Sequence, residues 1–218
     1  MPKKEASDAV LKVGDGCGFV VETSWNRLVI TAAHCLPYFP PCASASSLEE
    51  RTFKNLLSEI LGKQPSVWAE CLFVDPISDL AVLGPPDNQA LPGQAEAYEL
   101  LTRPLSPMPI ADAHSSQKAW LRDLDGRWHP CTAGHNGGAI FLLDAKNGIK
   151  GGMSGSPIVS DDGAIGVVCV GGGPDMEVQT EGGPNPRLTH HLPAGLLRDM
   201  ESHKTPMTTS ATKPNERA

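Results

Sequence analysis

Short runs of hydrophobic residues, separated by turn-forming residues, recur along most of the chain. The runs that indicate strands cover residues 9–13, 18–22, 28–32, 67–74, 80–83, 118–124, 127–132, 139–143, 158–160 and 164–170. Tight hairpin turns are favoured by the pairs Asp125-Gly126, Asn147-Gly148 and Asp162-Gly163. This pattern predicts an all-β chain of antiparallel hairpins that form two lobes.

Two stretches interrupt the strand pattern. Residues 47–62 begin with Ser47 and Glu50, the polar residues of a capping box, and continue with apolar side chains at helical spacing. The spacing predicts a surface helix packed against the first lobe. Residues 85–116 are rich in proline, alanine and polar residues without a sustained period, which is typical of a long surface connection.

These patterns divide the chain into consecutive units. The first lobe, the connection, the second lobe and a polar tail are placed at residues 9–84, 85–116, 117–192 and 201–218. The tail has almost no apolar residues and is expected to be disordered.

Composition restricts the classes of partner. The 218 residues carry a net charge of −7, and no cationic cluster is longer than Lys3-Lys4, so nucleic acid is not an expected partner. No apolar run approaches the ~18 residues of a membrane span, so no membrane association is expected. Because the polar first residues show no secretory signal, the sequence predicts a cytoplasmic protein, or a secreted or periplasmic one if a leader has been removed.

A serine between small residues is the first candidate for chemistry. Ser154 lies in the segment GGMSGSP, directly before a predicted strand. Glycines allow a tight turn in which neighbouring amides point at one developing oxyanion, which is what an exposed nucleophile requires. Taken alone, the same residues are also compatible with an ordinary hairpin connection.

Two further segments support the nucleophile hypothesis. His34 follows an apolar β-branched run, and Asp79 directly precedes another strand. Each has an ordinary structural alternative, a core histidine and a turn or capping aspartate respectively. Together with Ser154 they occur in the order His, Asp, Ser, which is one of the known orders of a catalytic triad.

The segments TAAHC, DLAVL and GMSGSP resemble the histidine, aspartate and serine motifs of chymotrypsin-fold (trypsin-like) serine proteases. The pattern is most similar to bacterial HtrA-type and related small trypsin-like domains. The resemblance implies two six-stranded antiparallel Greek-key β-barrels with a C-terminal helix at 193–200. It also implies His34 as the base, Asp79 as its orienting partner and Ser154 as the nucleophile, with an oxyanion hole formed by the amides of Gly152 and Ser154.

Met153 departs from the digestive members of the family. It stands where those enzymes have an aspartate that pairs with a newly cut N-terminal amine, and no IVGG-like start precedes the first strand. Activation by such an ion pair is therefore not expected. Ser156 replaces a glycine and is a milder departure that affects the turn.

The resemblance also implies a wall for an extended peptide substrate. Its candidate residues are Gly148, Cys169, Val170, Gly171 and His190. The segment with Cys169 resembles the strand that pairs with bound peptide. Gly148 resembles the pocket-floor position where trypsin has an acid, so cleavage after Lys or Arg is not supported. His190, in a segment 188–192 that resembles the last strand, either faces the pocket and favours an acidic side chain or is a strand histidine without a role.

The cysteines and histidines allow further alternatives. Cys17 and Cys35 stand where many trypsin-like enzymes have a disulfide, whereas a reducing compartment would keep them as thiols. The remaining cysteines, which are expected to be mostly buried free thiols, are Cys42, Cys71, Cys131 and Cys169. His129, Cys131 and His135 supply only three of the four ligands of a closed zinc site, so no metal is expected.

The sequence therefore predicts a serine endopeptidase that needs no cofactor and binds its protein or peptide substrate as an added strand. The alternative is a catalytically silent protease-fold module that grips extended peptides without cutting them, because a fold does not guarantee its usual activity. The oligomeric state is not indicated.

Overall fold

A computed structural model describes residues 8–41, 47–60, 64–122, 125–136, 139–145, 149–169 and 185–202. The strands are β1 (Val10–Val13), β2 (Gly16–Glu22), β3 (Arg27–Ala32), β4 (Thr52–Glu59), β5 (Val67–Asp75), β6 (Leu80–Gly84), β7 (Ser116–Arg122), β8 (Trp128–Asn136), β9 (Ala139–Leu143), β10 (Pro157–Val159), β11 (Ala164–Val167) and β12 (Asn185–Pro186). The helices are α1 (Leu48–Arg51), α2 (Pro92–Thr102), α3 (Leu188–His191) and α4 (Ala194–Ser202), with a 3₁₀ turn at Ala33–Cys35.

The first six strands close into an antiparallel barrel in the order β1-β2-β3-β6-β5-β4. The second lobe is a curled six-stranded sheet in the order β11-β10-β7-β8-β9-β12. Among the described residues, a bridge between Gly166 and Arg187 connects its two ends, so the described part of this lobe is less completely closed than the predicted second barrel. The two-lobe, all-β prediction is confirmed.

Buried side chains form one core inside each lobe and a third core between the lobes. In β2, Val20 points into the first barrel, whereas Phe19 and Val21 point into the core between the lobes. This alternation follows from the two-residue period of a strand. Because both faces of β2 are buried, its apolar residues form a continuous run.

The predicted helix at 47–62 is wrong beyond its first turn. Ser47 and Glu50 do begin a helix, α1, and the Ser47 amide donates to Glu50 Oε2 at 2.6 Å. The chain then becomes β4, in which an irregularity between Phe53 and Leu57 includes Asn55 at φ +51°. A bulge of this kind breaks the two-residue alternation and buries neighbouring apolar residues, which produces an apparent helical spacing.

The connection contains a helix that the sequence analysis missed. Helix α2 starts with Pro92 and buries Ala95, Tyr98 and Thr102 along a narrow face. The hydroxyl of Tyr98 donates to the backbone carbonyls of Arg27 and Leu83, at 3.1 and 3.3 Å. The buried face includes the polar Thr102, whereas the apolar Leu100 is exposed, so the segment has no strong amphipathic pattern.

The C-terminal prediction is partly wrong. The segment 188–192, expected to be the last strand, contains helix α3, and the last strand is β12. The predicted C-terminal helix is present as α4, which extends to Ser202, two residues into the predicted tail. The rest of that tail lies outside the described residues.

Candidate active site

His34 and Asp79 are joined by contacts of both backbone and side chain. His34 lies in the 3₁₀ turn that follows β3, and Asp79 lies just before β6, which pairs with β3. Asp79 Oδ2 is 2.6 Å from His34 Nδ1, and Asp79 Oδ1 accepts the His34 amide at 2.9 Å. The Asp79 carbonyl accepts the Ala33 amide at 3.0 Å. The carboxylate therefore fixes the position and the plane of the imidazole.

This contact determines which imidazole nitrogen carries the proton. An ionised carboxylate only accepts hydrogen bonds, so Nδ1 of a neutral His34 donates to Asp79. Nε2 is then left with its lone pair, as a general base requires. Asp79 has φ +54°, a conformation in which aspartate and asparagine are enriched.

Ser154 lies in a turn that is held by specific amide contacts. The amides of Met153, Gly155 and Ser156 donate to the carbonyls of Lys150, Val168 and Met153, at 3.1, 2.7 and 3.0 Å. Within the described ranges, the amides of Gly152 and Ser154 donate to no protein carbonyl. Gly152 has φ +88°, which glycine adopts without steric cost. Among the described contacts, the serine's own amide and the amide two residues before it are therefore uncommitted.

The serine turn is docked onto the first lobe through β2. The Cys17 amide donates to the Ser154 carbonyl at 2.7 Å, and the Cys17 thiol donates to the Gly152 carbonyl at 3.4 Å. The buried Thr31 hydroxyl donates to the Cys17 carbonyl at 2.7 Å. Sequence reasoning did not identify these supporting roles, because no local pattern marks Thr31 or the thiol as a partner of the serine turn.

Gly155 has no space for a side chain. It has φ +80°, and an added Cβ would lie 1.8 Å from the Cys17 carbonyl oxygen and 2.5 Å from Thr31 Oγ1. We expect Gly155→Ala to lower the free energy of unfolding by about 3 kcal/mol, from backbone strain and overpacking together. Urea unfolding would measure the loss.

Gly93 provides the matched control for that substitution. It lies in helix α2, and an added Cβ would have no neighbour within 4 Å. Gly93→Ala should stabilise the protein by roughly 0.5–1 kcal/mol, because alanine is the better helix former. Equal unfolding free energies for the two variants would contradict the tight docking of the serine turn.

A cavity of about 570 Å³ contains both His34 and Ser154. Its lining residues are Gly14, Asp15, Gly16, His34, Cys35, Leu36, Pro37, Asn55, Gln64, Pro65, Gly152 and Ser154. Among the hydrogen bonds of the described residues, none joins the imidazole to the serine hydroxyl. The His34 side chain is 45% exposed, so it is accessible to a substrate that enters the cavity.

The cysteines near the site are free thiols. Cys17 and Cys35 do not form the disulfide that the resemblance implies. Burial raises the pKa of Cys35 to about 11, and burial raises the pKa of Cys17 as well. Cys169 lies beside Asp79, with Sγ 3.5 Å from the Asp79 carbonyl oxygen, and burial raises its pKa. All three thiols are protonated near neutral pH and are poor nucleophiles.

The other cysteine predictions can be placed. Cys71 and Cys131 are buried free thiols, as expected, whereas Cys42 lies outside the described residues. Cys131 packs in the core of the second lobe, and His135 Nδ1 is 3.2 Å from the Arg187 guanidinium. No group of three or more His, Cys, Asp or Glu side chains in the described ranges is placed to hold a metal ion.

The predicted substrate wall is only partly described. Gly148, Val170 and Gly171 lie outside the described residues. His190 was expected on a strand but lies on helix α3, where it is exposed and its imidazole is 3.4 Å from the Arg187 guanidinium.

No helix in the described ranges is both long enough and apolar enough to cross a lipid bilayer.

Two antiparallel β-lobes, with His34 and Asp79 on one and Ser154 on the other, define the chymotrypsin-like class of folds. The sequence profile of the trypsin-like peptidase domain matches residues 16–168, and the chain belongs to this family. The resemblance found in the sequence motifs is thereby confirmed.

Solved structures are similar in fold. An inactivated protease paralogue of the scabies mite is 13% identical, with a TM-score of 0.55 and coverage of 91% of this chain and 94% of the paralogue. The serine protease domain of the Sesbania mosaic virus polyprotein is 14% identical, with a TM-score of 0.52 and coverage of 84% and 89%. No curated protein matches the chain in sequence.

Proposed function

We propose that the chain is a serine endopeptidase that uses His34, Asp79 and Ser154 as a catalytic triad. The observation that carries the proposal is the double contact of the Asp79 carboxylate with His34, beside a cavity shared with Ser154. Such a contact is required of the group that orients a catalytic imidazole. Membership of the trypsin-like peptidase family supports the same role.

The proposed reaction is acyl transfer to water. His34 Nε2 removes the hydroxyl proton as Ser154 Oγ attacks a peptide carbonyl, and the imidazolium then gives that proton to the leaving amine. A water molecule, activated by the same imidazole, hydrolyses the acyl-enzyme. The uncommitted amides of Gly152 and Ser154 are suited to stabilise the oxyanion of both tetrahedral intermediates.

We further propose that the site does not depend on an ion pair with a newly cut N-terminus. Met153 is only 2% exposed and packs in the core of the second lobe. An apolar side chain in this position offers no charge to an ammonium group. Its thioether accepts the Lys150 amide at 3.2 Å, a contact within the turn itself.

Labelling with an active-site-directed fluorophosphonate tests the proposal. We expect a stoichiometric adduct on the parent protein and none on Ser154→Ala, because only an activated serine attacks the reagent. Peptide mapping would locate the adduct. If the folded parent formed no adduct, the endopeptidase proposal would be wrong and a peptide-binding module would be favoured.

A further inference from the structure

The β1–β2 hairpin places one acidic residue at the candidate active site. Val13 pairs with Gly16, so the hairpin loop consists of Gly14 and Asp15. Gly14 has φ +54°, as expected of the first central residue of a type II′ turn. The Gly14 amide donates to the Leu56 carbonyl at 2.8 Å, which ties the tip of the hairpin to β4.

The backbone of this hairpin is wedged between the histidine and serine segments. A Cβ on Gly14 would lie 2.7 Å from the carbonyl oxygen of Cys35, the neighbour of His34. A Cβ on Gly16 would lie 2.7 Å from the carbonyl oxygen of Ser154. Because the two glycines contact both segments, the backbone of Asp15 is fixed relative to both candidate catalytic residues.

The Asp15 side chain is exposed and lines the cavity that contains His34 and Ser154. Among the described residues that line this cavity, it is the only one with an acidic side chain. Within the described ranges, its carboxylate takes part in no ion pair or hydrogen bond. Asp15 therefore offers an exposed carboxylate to a ligand that enters the cavity containing Ser154.

The cavity lies on the leaving-group side of the proposed reaction. The imidazole that protonates the leaving amine must contact it, so the leaving half of the substrate extends past His34. The three residues that follow His34 in the chain, Cys35, Leu36 and Pro37, also line the cavity. The acyl half extends to the opposite side of Ser154. The cavity volume of about 570 Å³ is enough for one or two substrate residues.

We propose that this cavity selects substrates with a lysine or arginine in the first two residues after the cleaved bond, and that Asp15 supplies the counter-charge. The proposal deepens, and rests on, the endopeptidase function above. The net charge of −7 also attracts cationic peptides at long range. Cleavage before a basic residue differs from cleavage after one, which the resemblance at Gly148 does not support.

The test uses ligands that differ in charge but hardly in shape. Argininamide has a guanidinium where citrullinamide has a neutral ureido group. Both would be titrated into ¹⁵N-labelled Ser154→Ala protein and followed through amide shifts. We expect argininamide to bind roughly two- to five-fold more tightly, the range for an exposed charge pair. Shifts should centre on Gly14 and Gly16, and the preference should disappear at high salt.

Variants assign the preference to one carboxylate. In the same background, Asp15→Asn keeps a turn-forming residue but should lose the preference, while Asp15→Glu should retain it. Glu96→Gln removes an equal charge from an exposed site on α2 and should change nothing. The proposal is overturned if argininamide shows no preference, or if the preference survives in a folded Asp15→Asn protein.

The outcome is independent of catalysis, because Ser154→Ala cannot form an acyl-enzyme. Charge discrimination at Asp15 without fluorophosphonate labelling would contradict the endopeptidase proposal and would leave Asp15 as the cation-binding group of a cavity that binds peptide without cleaving it. Labelling of the parent without discrimination would contradict the leaving-group proposal alone.

Discussion

Replacing Ser154 with alanine is expected to reduce kcat/KM for peptide hydrolysis by about 10⁴-fold or more. Among the described residues that line the cavity with His34, the substitution removes the only hydroxyl, and alanine fits the turn because it is smaller. The cavity, the imidazole and the two uncommitted amides all remain. The rate would be measured on the best substrate found with a peptide library.

Ser24→Ala provides the control for this effect. Ser24 is exposed in the loop between β2 and β3, away from the cavity. This variant should hydrolyse the same peptide at the parental rate and unfold at the same urea concentration. Parental activity in folded Ser154→Ala would show that another group performs the reaction.

Replacing Asp79 with asparagine is expected to reduce kcat by roughly 10⁴-fold, as removal of this charge does in the general triad mechanism. Asparagine tolerates φ +54°, and its oxygen can still accept the His34 amide. Its NH₂ group then faces Nδ1 of the imidazole and donates to it. The proton is forced onto Nε2, so the imidazole can no longer accept the serine proton.

The tautomer can be measured separately from the rate. Nitrogen shifts of ¹⁵N-histidine should show the proton on Nδ1 of His34 in the parent and on Nε2 in Asp79→Asn. Asp161→Asn, an exposed substitution on the β10–β11 hairpin, should change neither the rate nor the tautomer. A slow Asp79→Asn variant with an unchanged tautomer would contradict the orienting role.

The all-β architecture could be predicted because most strands repeat simple local patterns. The hairpins at Asp125 and Asp162 form where the turn residues indicated them. The segment 52–59 was misassigned because the bulge near Asn55 is stabilised by pairing with two distant strands, β1 and β5. Local spacing contains no information about such partners.

Within the candidate site, the motifs located His34, Asp79 and Ser154 but not the residues that support them. The contacts of Cys17 with the serine turn span more than a hundred positions in sequence, the thiol contact 135 of them. The position of Asp15 beside the nucleophile depends on two close backbone approaches, at Gly14 and Gly16. Both features arise only when the lobes have docked.

Because the serine turn is held by Cys17 of the first lobe, the geometry of the candidate site depends on contact between the two lobes. The amide of Cys17 belongs to the first lobe and the carbonyl of Ser154 to the second, so neither half contains a complete site. A ligand that occupies the cleft contacts both lobes, so its binding stabilises the state in which the lobes are associated. The proposed proteolytic activity therefore requires both lobes in contact, because the serine turn and the His34 segment are held together only across their boundary.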